Sequence, residues 1–275
     1  MPRRFLFLLF SALSLFLSPA AAEEPVILPI LMYHDVSFQH PGKDVVTPEE
    51  LRADLLWLRE AGYHPVTMAQ VIAFSDGISP LPPKPIVLSF DDGFTSAYDR
   101  VLPLLRELDM PMVLSVIAGS ADEFSAYAPG KARLAHAAWP LLRELSDSGL
   151  VELQNHSYGL HCAAGSGWGC DRLPGEGRGA YGERLAADVL RAQERIWEET
   201  GQKCSVFTYP YGRYSAESEE LLQELGFRAT LTCDFGVNRI SAGEDCLFGL
   251  KRICRGHGAD LPALLEEANA TLKAR

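Results

Sequence analysis

The chain of 275 residues is 47% hydrophobic and 22% charged, enough apolar material for a sizeable core and too much for a disordered polymer. Its formal charge of −11 repels nucleic acid and anionic membrane, which excludes both as expected partners. A neutral glycan is indifferent to such a surface, and a cationic one is drawn to it.

Residues 1–22 read as an export signal. Arg3 and Arg4 give a positive start, Phe5 to Leu17 is apolar, and Ala20-Ala21-Ala22 offers an A-x-A-like cleavage site. The apolar run is short for a membrane span. The expectation is therefore a mature chain of residues 23–275, charge −13, that is exported to the periplasm, the envelope or beyond without stable membrane insertion. An uncleaved N-terminal anchor is the alternative. Export also sets the expectation for Cys162, Cys170, Cys204, Cys233, Cys246 and Cys254: an even number in an oxidising compartment predicts disulfides. Connectivity stays open, although Cys162 and Cys170 bracket a Gly-rich loop that a bridge would close.

Beyond the signal, apolar runs alternate with amphipathic ones. Val26 to Tyr33 reads as a strand. Thr47-Pro48-Glu49-Glu50 forms a capping box, and Leu51, Leu55 and Leu58 carry helical spacing to Gly62. Pro85 to Phe90 reads as a buried strand, with a helix marked by Val101, Leu104, Leu105 and Leu108 after it. Met112 to Ile117, a helix through Trp139 and Leu145, and Val151 to Gln154 continue the pattern. A helix from about Tyr181 to Thr200, strands at Val206 to Tyr209 and Arg228 to Thr232 with a helix through Leu221 and Leu222 between them, and a helix from Leu261 to Leu272 complete it. Such alternation predicts an α/β fold with a mostly parallel sheet in one domain, and about seven strand–helix pairs fit a barrel as readily as an open sheet. Chemistry is expected at the carboxyl ends of its strands.

Three segments fall there. Ser89-Phe90-Asp91-Asp92-Gly93 ends an apolar strand in two carboxylates, which are unfavourable in a core unless paired or holding a cation. In isolation it also suits a helix N-cap. Asn155-His156-Ser157-Tyr158-Gly159-Leu160-His161 places two imidazoles across a loop, where they can converge on one ion. Phe207-Thr208-Tyr209-Pro210-Tyr211-Gly212 is a strand entering a turn, whose backbone N–H can meet an oxyanion and whose aromatics suit a sugar face. One carboxylate with two neutral imidazoles is a three-ligand set that leaves a position open, and a second carboxylate beside it can take a proton from water. That combination hydrolyses amides or esters.

The order and spacing of these segments, with Leu28 to His34 before them and Leu250-Lys251-Arg252-Ile253 after, resemble the NodB-homology polysaccharide deacetylases (carbohydrate esterase family 4) over nearly all of the mature chain. The five-residue histidine spacing is similar to the subgroup related to poly-N-acetylglucosamine deacetylases. The resemblance implies a distorted (β/α)7 barrel of parallel strands and a divalent ion, most often zinc. It implies Asp91 as general base, Asp92, His156 and His161 as metal ligands, and the Tyr211 N–H as oxyanion donor. Tyr209, Pro210 and Arg252 are the expected substrate-side residues, Arg252 also as a stand-in for the arginine that Thr208 replaces before the third turn. No Leu-x-His segment supplies the usual acid, so His257, in its Gly-His-Gly setting, is the expected donor. The implied activity is removal of N-acetyl groups from a GlcNAc-containing polysaccharide, peptidoglycan or exopolysaccharide. An O-acetyl esterase on xylan-like glycans and a non-catalytic glycan binder are the other readings.

Overall fold

Seven parallel strands occupy the apolar runs in this computed structural model, which describes residues 25–39, 41–126, 135–161, 168–243 and 247–272. They are β1 (Ile30–Tyr33), β2 (Pro85–Phe90), β3 (Met112–Val116), β4 (Val151–Asn155), β5 (Val206–Thr208), β6 (Ala229–Phe235) and β7 (Leu250–Cys254). Each pairs with the next in sequence, and β7 pairs back with β1 through Ile253↔Leu31 and Cys254↔Met32, which closes the ring. The fold is the expected distorted (β/α)7 barrel.

Among the described residues, eight α-helices accompany these strands: α1 (Pro48–Glu60), α2 (Met68–Ser75), α3 (Leu102–Leu108), α4 (Ala118–Ala126), α5 (Trp139–Asp147), α6 (Arg178–Thr200), α7 (Ala216–Glu224) and, after the last strand, α8 (Leu261–Ala270). Thr47 starts α1 through the anticipated capping box with Glu50. Between β6 and β7 the described chain has no helix; Asn238–Ile240 pairs there antiparallel with Val26–Leu28. The β6–β7 register also slips, with Leu231 opposite Leu250 but Phe235 opposite Arg252. A slip of this kind bends the strand and re-aims its side chains at the barrel rim.

Strand alternation divides the side chains between two environments. Leu31, Leu88, Leu114 and Leu153 pack outward in one cluster with Leu55 of α1, Leu105 of α3 and Leu142 of α5. Ile30, Val87, Val113, Val206 and Leu250 form another with Met68, Val71 and Phe74 of α2, a short helix that seals this apolar layer. Two residues further along, the layer becomes polar: the Ser115 and Thr208 hydroxyls share a hydrogen bond of 2.7 Å, and Arg252 reaches Ser89. Apolar matter thus closes one end of the lumen, and the chemistry collects at the other.

Several expectations change. The first strand is interrupted at Pro29, which has no N–H for a ladder, so its halves serve different sheets. Helices α2 and α4 add to those anticipated. No disulfide forms among the described residues: Cys170, Cys204, Cys233 and Cys254 are free thiols. Cys204 is packed beneath β4 as a small apolar side chain, with its Sγ 3.6 Å from the Leu153 carbonyl, and Cys170 lies against Tyr181. Cys162, Cys246 and the signal segment lie outside the described residues.

Leu114 is fully buried between the barrel and its helices. Leu114→Ala is expected to lower unfolding free energy by about 2–5 kcal/mol in chemical denaturation. A loss below about 0.5 kcal/mol, the range of surface substitutions, would contradict this packing.

Candidate active site

The carboxyl ends of β1, β2, β4, β5, β6 and β7 surround a cavity of about 740 Å³, lined by His34, Asp91, Asp92, His156, His161, Tyr211, Cys233 and Cys254 among others. Asp92 and the two histidines are its centre. The His156 Nε2 stands 3.4 Å, and the His161 Nε2 3.7 Å, from the same Asp92 Oδ1. The ligand atoms of this trio all lie within 4.8 Å of one another.

Hydrogen bonding determines what these atoms can do. The carbonyl of Thr208 can only accept, so the His156 Nδ1–H must donate to it across 2.8 Å. A neutral His156 therefore turns the lone pair of Nε2 toward Asp92 Oδ1, which is buried and receives no hydrogen bond. Acceptors facing acceptors in a buried space repel one another unless a cation lies between them. A proton is one such cation. A divalent metal is the other, and two imidazoles with one carboxylate match the donor set of an open zinc site. These residues fit the ion that the sequence resemblance implies.

The protonation tendencies follow from the same contacts. Burial works against the Asp92 carboxylate, yet the two imidazoles and His34 hold it well below the usual range. Burial would also lower His156, but Asp92 and Asp91 raise it above the ordinary histidine value. His161 is lowered, by burial first and by His156 second. The pair is asymmetric.

Asp91 is buried beside this trio and held differently. Both of its oxygens accept from the guanidinium of Arg252 at 2.8 Å. Burial alone would raise the Asp91 carboxyl; the Arg252 charge and hydrogen bonds reverse that, and it lies below its ordinary value. Arg252 is 1% exposed and also donates to the Thr232 carbonyl. It is therefore shut away from a polymer and bears on hydrolysis through Asp91. Sequence reasoning had also placed it among the substrate-side residues, and its burial corrects that part of the expectation.

The motif loops are held by residues outside them. Asp92 has φ +71°, a left-handed conformation unfavourable for a residue with a side chain by about 1–2 kcal/mol. The His136 Nδ1–H donates to its carbonyl at 2.8 Å, and the Ala137 N–H to that of Gly93 at 2.8 Å, so a neighbouring segment fixes the turn. Across the cavity, both oxygens of Asp188 on α6 accept N–H groups of Tyr158 and Gly159 at 2.8 Å. The first N–H groups of α4, from Ala118 and Gly119, donate to Ser157 and Tyr158. A side chain on Gly119 would collide with the Tyr158 carbonyl.

In the third turn, Tyr211 has φ +59° and its ring stacks on His161 with centroids 4.1 Å apart. It is 43% exposed and forms part of the cavity wall. Tyr209 lies below, 1% exposed, its ring stacked on Tyr214 and edge-on to Phe207; Pro210 is buried too. Tyr209 borders the cavity with its ring enclosed, and together the two shape the turn. His257 is not brought to Asp91. Its Nδ1 meets Glu50 at 2.9 Å on α1, and its backbone N–H donates to the Gly42 carbonyl, while His257 itself is not among the residues lining the cavity. Burial would raise Glu50, but the Thr47 and Gly258 N–H groups and His257 bring it down to about 2. His257 thus serves a structural pair, and the expectation that it donates a proton is corrected.

The residue that sequence reasoning missed is His34, which lines the cavity and whose charge acts on both Asp91 and Asp92. Its signal was the alternation of β1 carried one residue past its end: Ile30, Met32 and His34 follow one another at every second position toward the lumen.

Comparisons with known proteins bear on the family and the fold. Residues 79–230 match the family model described as "Polysaccharide deacetylase". The chain is 32% identical over 214 residues to the poly-beta-1,6-N-acetyl-D-glucosamine N-deacetylase of Escherichia coli K12, an overlap of 71% of this chain and 32% of that protein. The chain therefore spans about a third of the length of that curated relative. Among solved structures, IcaB from Ammonifex degensii superposes with a TM-score of 0.71 at 26% identity, covering 89% of this chain and 97% of that one. A de-N-acetylase from Aggregatibacter actinomycetemcomitans gives 0.69 at 25% identity, over 82% and 94%. His34 and Arg252 both fall outside the segment that matches the family model.

Arg252→Met keeps the volume of the side chain and leaves Asp91 buried without its partner. The expected result is a loss of about 3–5 kcal/mol in unfolding free energy at pH 7. An unchanged denaturation midpoint would contradict the pairing.

Proposed function

The chain belongs to the polysaccharide deacetylase family, and on that premise we propose that it is an exported, metal-dependent hydrolase removing N-acetyl groups from a GlcNAc-containing cell-surface polysaccharide. One observation carries the reading: an unpartnered buried oxygen of Asp92 faces two imidazole nitrogens, with a separately held carboxylate next to it. A glycan binder has no need of that second carboxylate. The E. coli relative, named for poly-beta-1,6-N-acetyl-D-glucosamine, supports that polymer as the first substrate to test. The leader-like start of the sequence supports export, and no helix among the described residues is long and apolar enough to cross a membrane.

Asp92, His156 and His161 would hold the divalent ion, and imidazole donors favour zinc. When bound, such an ion polarises an acetyl carbonyl and lowers the pKa of water. Asp91 then takes a proton from the attacking water. Its ion pair with Arg252 keeps it anionic and aims its oxygens, at the expense of some basicity. The Tyr211 N–H, presented by the left-handed turn, donates to the oxygen on which charge develops. The exposed Tyr211 ring, stacked on His161, borders the space for the sugar. His34 returns a proton to the departing amine from the same cavity.

Acetate release from β-1,6-linked N-acetylglucosamine oligomers is expected to stop on chelation and resume with added zinc. Asp91→Asn should lower kcat by about 10²–10⁴ in protein confirmed to be folded, since the substitution also strips the buried Arg252 of its counter-ion. A rate within a few-fold of wild type would remove Asp91 as the base. Acetylxylan should be the poorer substrate; a preference for it would replace the amide reading with the ester one.

His34→Gln separates the acid from the rest of the site. It should slow the amide by about 10²–10⁴ and an aryl acetate far less, because an aryloxide leaves without a proton. Equal losses on both substrates would contradict the assignment.

A further inference from the structure

Three sulfur atoms in the cleft have no part in this chemistry. Met32, Cys254 and Cys233 lie on β1, β7 and β6, three consecutive strands of the ring, and all line the cavity. Met32 and Cys254 are partners in the strand ladder, which puts their side chains on one face at one level. The Cys233 Sγ is 3.9 Å from the Met32 Sδ. Both cysteines are free, Cys233 exposed and Cys254 half-buried, whereas Cys170 and Cys204 are sealed in the core.

We propose that Met32, Cys233 and Cys254 form a second site in the cleft, one that binds a soft monovalent cation of the Cu(I) or Ag(I) class. Thiolates with a thioether select such d¹⁰ cations, which accept two or three sulfur ligands, while the Asp92–His156–His161 set suits a borderline divalent ion. The two sites therefore divide by ligand softness within one cavity. Each thiol that ligates gives its proton to solvent, and the cation keeps its oxidation state. Two thiolates on one cation leave one negative charge, and the Arg252 guanidinium lies 4.0 Å from the Cys233 Sγ to offset it. Burial raises both thiols above their ordinary values, so ligation requires a strongly thiophilic ion.

The position gives the site a consequence. Cys233 packs against the third turn so closely that a Cβ on Gly212 would come within 2.8 Å of its Sγ, and it touches the arginine that holds Asp91. A cation there stands beside the space of the acetyl group and blocks it. The inhibition rests on the proposed function; the binding does not.

The test is an anaerobic Ag(I) titration of the full chain, reduced and freed of reductant, against a chromophoric chelator. Wild type should hold one tight equivalent that Cys233→Ser and Cys254→Ser each weaken by about 100-fold, and Met32→Leu by about tenfold. The double serine variant measures what the other four cysteines take up. Equal uptake by wild type and the double variant would overturn the site. So would two independent equivalents, each lost with its own cysteine and indifferent to Met32→Leu. In parallel, one equivalent should abolish wild-type acetate release and spare the double variant. Unchanged release at full occupancy would overturn the blocking position, and a protein with no acetate release at all would still give the binding result.

Discussion

Two acceptors that face each other without a donor, Asp92 Oδ1 and His156 Nε2, with a second imidazole nitrogen 3.7 Å from the same oxygen, are the constraint on which the site depends. His156 spends its only neutral-state proton on the Thr208 carbonyl, so nothing on its other nitrogen satisfies Asp92. In a buried space that geometry persists only where the surrounding fold enforces it. The enforcement is visible on both sides. His136 and Ala137 clamp the left-handed turn of Asp92 and Gly93, while Asp188 and the start of α4 clamp the loop between His156 and His161. These clamps place a strong demand for a cation at one point of the cleft.

The barrel supplies the rest by simple alternation. Every second residue of a strand faces the lumen, so β2 delivers Val87, Ser89 and Asp91 at successive levels and β7 delivers Leu250, Arg252 and Cys254. Apolar residues fill the end sealed by α2, and polar ones fill the levels above. Asp91 and Arg252 meet because these two strands both flank β1 in the ring. The division of labour between adjacent aspartates follows. Asp91 ends the strand with its side chain in the lumen, and Asp92 turns away in a left-handed conformation toward the histidines.

Much of this was legible in the sequence. The strand and helix periods gave the βα alternation, and three short segments at strand ends gave Asp91, Asp92, His156, His161 and Tyr211. Closure into a seven-stranded ring came from family resemblance, because period and spacing leave barrel and open sheet equal. His34 escaped notice since its partners are distant in the chain and it lies just past a strand of only four residues. The role of His257 was misread for a related reason: a glycine-flanked histidine looks poised for catalysis, yet Glu50, 207 residues away, engages it. Among the described residues no predicted disulfide forms: Cys170 and Cys204 serve as core packing, and Cys233 and Cys254 are free thiols. Cysteine count reports a compartment, and only the fold reports which thiols meet.

The most direct test of the central claim is anomalous diffraction from crystals of the protein grown with zinc and recorded at the zinc edge. The account predicts one strong peak about 2.0–2.2 Å from the Asp92 Oδ1 and both Nε2 atoms. A cleft with no peak there, and His156 Nε2 bonded instead to Asp92 as an ordinary ion pair in zinc-saturated crystals, would contradict it.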